Sequence, residues 1–119
     1  MLVTLNEVLP KARREGYAVG LFNTVELEMA KGVLAAAEEL RAPVIIGTAE
    51  VLLPAASLDD LASFLRPLAE RASVPVVLHF DHGLTEEMTK HAIELGFSSV
   101  MYDCSTLDFE GNVRRAAEM

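Results

Sequence analysis

Short apolar runs alternate along this chain with longer segments in which apolar residues recur at helical spacing. After the first run, Leu27, Ala30, Leu34 and Ala37 follow one another at intervals of three or four, which is the pattern of an amphipathic helix. Each later run is followed by a segment of the same kind. The pattern therefore predicts four βα units, with strands at residues 18–22 (AVGLF), 44–46 (VII), 74–80 (VPVVLHF) and 98–102 (SSVMY).

Capping residues place the starts of the predicted helices. Thr4 and Glu7 form a capping-box pair that opens a short helix over residues 4–15, before the first strand. Ser57 and Thr85 stand where they can cap the helices that follow the second and third strands. The last segment, residues 108–119, is predicted to be the helix of the fourth unit.

The predicted strands are almost wholly apolar, which is typical of parallel strands covered by helices. A doubly wound sheet and a TIM (β/α)8 barrel both satisfy this pattern. A complete barrel needs about 250 residues, whereas the chain has 119. An interpretation as a barrel is therefore an interpretation as part of one.

Composition and charge exclude some classes of function. The net charge of -8 offers no basic stripe for a phosphodiester backbone, so nucleic acid is not expected as a partner. The chain shows no signal peptide and no apolar run long enough to span a bilayer, which predicts a cytoplasmic protein without a membrane partner. A single cysteine, Cys104, has no internal disulfide partner.

Polar side chains follow every predicted strand at its carboxyl end. In a TIM barrel this is the face that carries the catalytic groups. Strand alternation places Asp81 on the face of Val77 and His79, and Asp103 on the face of Ser99. Two carboxylates are therefore expected to converge there, and Gly83 is expected to free the loop that carries His82. The full set is Asn23, Thr48, Glu50, Asp81, His82, Asp103 and Ser105.

Three segments carry a resemblance to a known family. Residues 17–23 (YAVGLFN), 79–83 (HFDHG) and 96–105 (GFSSVMYDCS) resemble signature segments of class II fructose- and tagatose-bisphosphate aldolases. The segments occur in the family's order and spacing, and the match covers essentially the whole chain. The resemblance implies that residues 1–119 form the N-terminal half of a TIM barrel, with four βα units after a short N-terminal helix.

The resemblance also implies roles for four residues. Asp81 matches the acid/base that handles the proton on the substrate's C4 hydroxyl, and His82 matches a zinc ligand. Asp103 matches a carboxylate associated with a second or alternative metal position, and Asn23 matches an asparagine that lines the substrate site. The implied cofactor is Zn²⁺, with the remaining ligands beyond Met119.

The implied reaction cleaves a ketose bisphosphate to glycerone phosphate and an aldehyde. This chemistry requires a Lewis acid that stabilises the enediolate and a carboxylate that removes the hydroxyl proton. The expected partner is a small phosphorylated sugar, and a homo-oligomer is expected. The particular bisphosphate is not defined, because Gly47 and Ala49 stand where many members carry polar residues. Thr48 is expected to supply the missing contact.

Structural interpretations of the same residues stay open at this point. Asn23 is a candidate N-cap for the following helix, and Asp81, His82 and Gly83 are consistent with a turn. His79 is expected to be a hydrogen-bonded interior histidine. The remaining expectations concern a surface or packing role for His91, a packed side chain for Cys104 and a solvated one for Glu50.

Two other functions compete with the aldolase interpretation. Flavodoxin-like signalling domains have a similar number of βα units and a reactive aspartate after the third strand, a position that Asp81 matches. Phe22, Asn23 and Thr24, however, occupy the place of the acidic pair that such domains carry. The second alternative keeps the barrel without its chemistry, as an inactive relative that binds sugar phosphates or a protein partner.

Overall fold

A computed structural model of the chain describes residues 1–119. Parallel strands alternate with α-helices, and a short 3₁₀ helix, Glu50–Leu52, follows the third strand. The strands are β1 (Leu2–Val3), β2 (Leu21–Asn23), β3 (Val44–Ala49), β4 (Val76–Gly83) and β5 (Ser99–Tyr102). The helices are α1 (Leu5–Glu15), α2 (Leu27–Leu40), α3 (Leu58–Arg71), α4 (Glu86–Glu94) and α5 (Phe109–Glu118).

The main strands lie side by side in chain order, β2-β3-β4-β5, and every pairing is parallel. The short β1 pairs with Val76 and Val77 of β4, and β5 pairs with β4 further along. A doubly wound sheet reverses its strand order at a switch point. These strands show no reversal, so the alternative of a flavodoxin-like signalling domain is wrong. The order is that of a partial TIM barrel, as predicted.

Two apolar clusters lie on opposite faces of the sheet. The larger contains 17 buried residues and fills the space between the sheet and the covering helices, with Ile46, Leu78 and Phe80 at its centre. The smaller contains Val8 of α1, Ile45 and Val77, so α1 covers the amino-terminal end of the other, inner face. This double coverage explains why the strand sequences are almost wholly apolar. The carboxyl end of the inner face is left to polar side chains.

Several strand boundaries differ from the predicted ones. The strand predicted at residues 18–22 begins only at Leu21, and the one predicted at 44–46 continues to Ala49. The third predicted strand starts at Val76 and continues to Gly83, because its polar end stays paired with β5. The two-residue β1 was not predicted, since Leu2 and Val3 are too few to show a periodic pattern.

The predicted helix starts are confirmed by their hydrogen bonds. The backbone N–H of Thr4 donates to Glu7 Oε2 at 2.8 Å, which closes the capping box of α1. The Ser57 hydroxyl accepts from the N–H of Asp60 at 3.1 Å, and the Thr85 hydroxyl accepts from that of Met88 at 3.3 Å.

None of the helices combines the length and the apolar character needed to cross a bilayer.

Candidate active site

The carboxyl ends of the strands bring together the residues that the sequence analysis singled out. Asn23 ends β2, Asp81 and His82 lie near the end of β4, and Asp103 follows β5 directly. Because all these strands are parallel, their carboxyl ends meet at one rim of the sheet. The predicted convergence of polar groups at this rim is therefore present.

A β-bulge in β4 explains how the consecutive residues Asp81 and His82 reach the same rim. Phe80 pairs with Val100 and Gly83 with Tyr102, so β4 advances three residues while β5 advances two. His82 takes up the difference with a left-handed backbone, φ 47°. As a result His82 Nε2 lies 3.9 Å from Asp81 Oδ1. Gly83 was expected to give the loop the backbone freedom that brings His82 to the rim, and this expectation is wrong. Gly83 has no positive φ, and a Cβ there would lie 2.4 Å from Thr89 Oγ1.

Asn23 holds the carboxylate of Asp81. Its Nδ2 donates to Asp81 Oδ2 at 2.9 Å, a bond between the ends of β2 and β4. Only 15% of the Asp81 side chain is exposed. The N-cap of α2 is Glu26 and not Asn23, so the capping interpretation of Asn23 is wrong. Asn23 Oδ1 is buried without a hydrogen-bond partner within the chain.

His82 and Asp103 form an ion pair at the same rim. His82 Nδ1 lies 2.6 Å from Asp103 Oδ2, and the N–H of Ser105 donates to Asp103 Oδ1 at 2.9 Å. Hydrogen bonds from Ser105, then from His82, lower the pKa of Asp103 to about 2. The pKa of His82 is raised, first by its hydrogen bond to Asp103 and then by the charge of Asp81. His82 thus stands between the two carboxylates.

His79 lies deeper on the inner face of β4. Its Nδ1 is 2.7 Å from the Ser99 hydroxyl, and only 12% of its side chain is exposed. Burial lowers the pKa of His79 and so favours the neutral ring. The prediction of a hydrogen-bonded interior histidine is confirmed. The sequence reasoning missed that His79 Nε2 also lies 3.6 Å from Asp81 Oδ1, although both residues had been assigned to one strand face.

Glu50 fastens the loop that follows the rim. Its Oε2 accepts from the N–H groups of Leu84 at 2.7 Å and Thr85 at 3.0 Å, and its Oε1 accepts from the Thr85 hydroxyl at 3.0 Å. The expectation that Glu50 is merely solvated is wrong. It ties the end of β3 to the start of α4 and so limits the movement of the segment after Asp81 and His82. The sequence did offer one signal for this role, because Glu50 directly follows the last residue of β3.

Gly47 and Thr48 do not contribute polar contacts to the rim. Gly47 pairs with His79 in the sheet, and a Cβ at Gly47 would lie 2.1 Å from the carbonyl oxygen of His79. No side chain fits there. Thr48 is fully buried and its Oγ1 has no hydrogen-bond partner. It alternates with Gly47 along β3, on the helix-covered face that holds Ile46, so the expected compensation by Thr48 is wrong.

The donors of this chain fit one imidazole ligand of a metal ion. No group of three or more histidine, cysteine, aspartate or glutamate side chains is arranged to hold a metal. His82 Nδ1 is bonded to Asp103, which leaves Nε2 as the free nitrogen. Metal-binding histidines usually bond their second nitrogen to a carboxylate or carbonyl in this way.

His91 bonds Asp59 on the surface, at 2.9 Å, and Cys104 is buried, as predicted for both.

Comparison with known proteins gives a consistent result. The family model described as class II fructose-bisphosphate aldolase matches residues 3–119. A fructose-bisphosphate aldolase of Thermus caldophilus is 46% identical over 114 residues, which cover 96% of this chain and 37% of that protein. One from Helicobacter pylori (strain ATCC 700392 / 26695) is 39% identical over 120 residues, covering 100% of this chain and 39% of that protein. The chain thus spans less than half the length of these relatives.

Solved structures share the fold. The crystal structure of the YdjI aldolase from Escherichia coli K12 superposes with a TM-score of 0.96 at 36% identity, over 99% of this chain and 46% of that one. A fructose-1,6-bisphosphate aldolase from Coccidioides immitis, described as putative, gives 0.87 at 31% identity, over 94% and 44%. Sheet order, family match and structural neighbours agree. The chain belongs to the class II fructose-bisphosphate aldolase family.

Proposed function

We propose that this chain forms the first half of an aldolase barrel and supplies its acid/base carboxylate and one zinc-binding imidazole. The reaction is the reversible cleavage of a ketose bisphosphate, of the fructose or tagatose type, to glycerone phosphate and an aldehyde. The observation that carries the proposal is the grouping of Asn23, Asp81 and His82 at one strand rim. Asp81 is fixed by Asn23 and lies 3.9 Å from the free nitrogen of His82.

Asp81 has the position that proton transfer requires. Its carboxylate is largely buried, yet it lies at the open carboxyl end of the inner face. A carboxylate held there accepts the proton of the C4 hydroxyl as the C3–C4 bond breaks, and returns it in the condensation direction. Asn23 bonds only Oδ2. The nitrogens of His79 and His82 lie 3.6 and 3.9 Å from Oδ1, beyond ordinary hydrogen-bond length, so Oδ1 stays available to accept a proton. Asn23 is also proposed to line the substrate site, through its place at the end of β2.

His82 Nε2 is the nitrogen proposed to bind the zinc ion. When bound, zinc supplies Lewis acidity toward the oxygens of the ketose. Because Asp103 bonds Nδ1, the ring is turned so that Nε2 points away from Asp103. Asp103 is thereby proposed to orient His82, while a direct metal role for Asp103 stays a prediction. A metal ion competes with a proton for Nε2, and the raised pKa of His82 strengthens this competition, so zinc affinity falls as the pH is lowered.

The substrate class rests on the named relatives. Several carry the name fructose-bisphosphate aldolase, and one from Halalkalibacterium halodurans, 40% identical over 121 residues, is named 6-phospho-5-dehydro-2-deoxy-D-gluconate aldolase. These names share a phosphorylated substrate and a carbon–carbon cleavage. We therefore propose a phosphorylated ketose as the substrate of the barrel to which this chain contributes.

An aldol cleavage assay tests the proposed function. These 119 residues would be followed by the remaining barrel of the Thermus caldophilus relative, and release of glycerone phosphate would be measured with fructose and tagatose bisphosphates. We expect turnover that a chelator abolishes and zinc restores. A folded, zinc-loaded protein that cleaves neither sugar, while the parent relative does, would refute the proposal and favour the inactive sugar-phosphate-binding alternative.

A further inference from the structure

We propose that His79, held by Ser99, is a positioning residue that fixes the carboxylate of Asp81 from within the inner face of β4. The catalytic consequence rests on the proposed function. The contact between His79 and Asp81 does not depend on the proposed function, because both residues belong to this chain. His79 reaches Asp81 Oδ1 at 3.6 Å, and Asn23 bonds Asp81 Oδ2 at 2.9 Å, so the two side chains approach different oxygens of one carboxylate.

The sheet register explains why His79 bonds Ser99. His79 pairs with Ser99 on β5 and with Gly47 on β3. Gly47 offers no side chain, whereas the Ser99 hydroxyl meets His79 Nδ1 at 2.7 Å. Residues i and i+2 of a strand share one face, so Asp81 stands next to His79 on its carboxyl side. The imidazole therefore bridges the Ser99 hydroxyl and the Asp81 carboxylate.

The Asp81 carboxylate selects one tautomer of the His79 ring. If Nδ1 carried the proton, Nε2 would present its lone pair to the carboxylate oxygen of Asp81, which is repulsive. With the proton on Nε2, the ring presents an N–H to Asp81, and Nδ1 accepts from the Ser99 hydroxyl. This hydroxyl is well suited to donate, since it has no other hydrogen-bond partner within the chain. The acceptor-only carboxylate of Asp81 thus selects this tautomer, and the Ser99 hydroxyl accommodates it by donating to Nδ1.

The length of the His79–Asp81 contact suits positioning better than proton transfer. At 3.6 Å it is longer than an ordinary hydrogen bond. Contacts of this kind in substrate-free sites are often long and shorten once the substrate is bound. His79 therefore restricts the rotation of the carboxylate and leaves it free to accept a proton.

Nitrogen-15 NMR of the imidazole rings tests the proposal without any activity. It reports the tautomer in solution and in the solid state, so self-association of the chain does not prevent the measurement. We expect His79 to be neutral with its proton on Nε2, and Asp81→Ala, which removes the carboxylate beside Nε2, to produce a mixture of tautomers. His91, whose ring is bonded to Asp59 on the surface, is the control and should not change in this variant. A proton on Nδ1 of His79, or no response to Asp81→Ala, would overturn the proposal.

Two amide variants separate positioning from a merely structural role. The terminal nitrogen of glutamine matches histidine Nε2, and that of asparagine matches Nδ1. In the completed barrel, we expect His79→Gln to keep kcat within about threefold, whereas His79→Asn lowers it about tenfold or more with KM nearly unchanged. Circular dichroism confirms that both variants fold. Equal losses in the two folded variants would contradict the proposal.

The two tests fail separately. A wild-type protein that cleaves no sugar phosphate counts against the proposed function, while the tautomer of His79 still decides whether the contact exists. An active enzyme in which His79 carries its proton on Nδ1 keeps the proposed function and overturns the positioning role.

Discussion

The imidazole of His82 and the carboxylate of Asp103 form a 2.6 Å hydrogen bond between the bulged end of β4 and the residue that follows β5. Both oxygens of Asp103 are occupied, since Oδ1 accepts from the N–H of Ser105. The same contact raises the pKa of His82 and contributes to the low pKa of Asp103. The ring is therefore held in one orientation, with Nε2 pointing away from Asp103.

This relationship predicts the effect of Asp103→Asn in the completed barrel. If Asp103 orients His82, zinc affinity should fall about 10- to 100-fold while one equivalent still binds at saturation. Zinc titration with a competing chelator measures the change. Asp59→Asn, which removes a surface carboxylate, is the matched control and should leave the affinity unchanged. Loss of all bound zinc would instead make Asp103 a direct ligand, and an unchanged affinity would remove it from the site.

Thr48 is predicted to be replaceable without loss of stability. Its hydroxyl is fully buried with no partner, and an unsatisfied buried polar group costs roughly 1–3 kcal/mol. Thr48→Val removes this group at nearly equal volume, so the free energy of unfolding should stay equal or rise. Thr89→Val is the control, because the Thr89 hydroxyl donates to the carbonyl of Thr85 at 2.8 Å. We expect it to lose about 1 kcal/mol. Denaturant unfolding of both variants decides, and a destabilised Thr48→Val would contradict the prediction.

The sequence predicted the helices and the strand order better than the strand ends. Capping residues such as Thr4, Ser57 and Thr85 act through neighbours three residues away, so their effect is readable locally. The end of β4 depends on pairing with β5 and on a bulge, which no local pattern records. For the same reason the sequence predicted that Gly83 frees the loop, whereas the left-handed backbone lies at His82.

The candidate site was predicted as a set of residues and not as a set of contacts. Strand alternation placed Asp81 and Asp103 on converging faces, but it did not show that His82 lies between them. The part played by Glu50 depends on a loop from another unit, and the missing partner of Thr48 depends on helix packing. Contacts between distant segments follow from the fold and are not written in local spacing.

The surface pair of His91 and Asp59 is predicted to stabilise the fold over a limited pH range. The hydrogen bond to Asp59 raises the pKa of His91, so this contribution is full below pH 6.5, the ordinary pKa, and is lost as the pH rises through the raised value. The bond to His91 lowers the pKa of Asp59. The stability that Asp59 contributes is therefore present above its ordinary pKa of 3.8 and is lost as the pH falls through the lowered value. The pair therefore acts most strongly between these limits.

An NMR titration of His91 tests this pair. We expect Asp59→Asn to lower the pKa of His91 clearly, because it removes the carboxylate 2.9 Å from Nε2. Glu94→Gln should lower it less, since Glu94 lies 3.7 Å from Nδ1. If the pKa of His91 does not respond to Asp59→Asn, the proposed contact between α3 and α4 is absent in solution.

The 119-residue polypeptide by itself is predicted to be inactive. The edges of β2 and β5 have no strand partner within the chain, and exposed parallel edges favour association. A site with one imidazole should hold zinc weakly, since catalytic zinc usually has about three protein ligands. We expect self-association, little bound zinc and no cleavage of either bisphosphate. We would measure the solution mass, the bound metal and the aldolase activity of the purified polypeptide. A zinc-loaded, active monomer would contradict the prediction.

The most direct test of the assigned roles measures zinc and turnover together in two variants of the completed barrel. Asp81→Asn should keep one equivalent of zinc and lose turnover about 10²- to 10⁴-fold, the usual contribution of general acid/base catalysis. His82→Ala should lose both zinc and turnover while circular dichroism shows an unchanged fold. Full zinc and wild-type turnover in His82→Ala, or a loss of less than about tenfold in Asp81→Asn, would contradict the account.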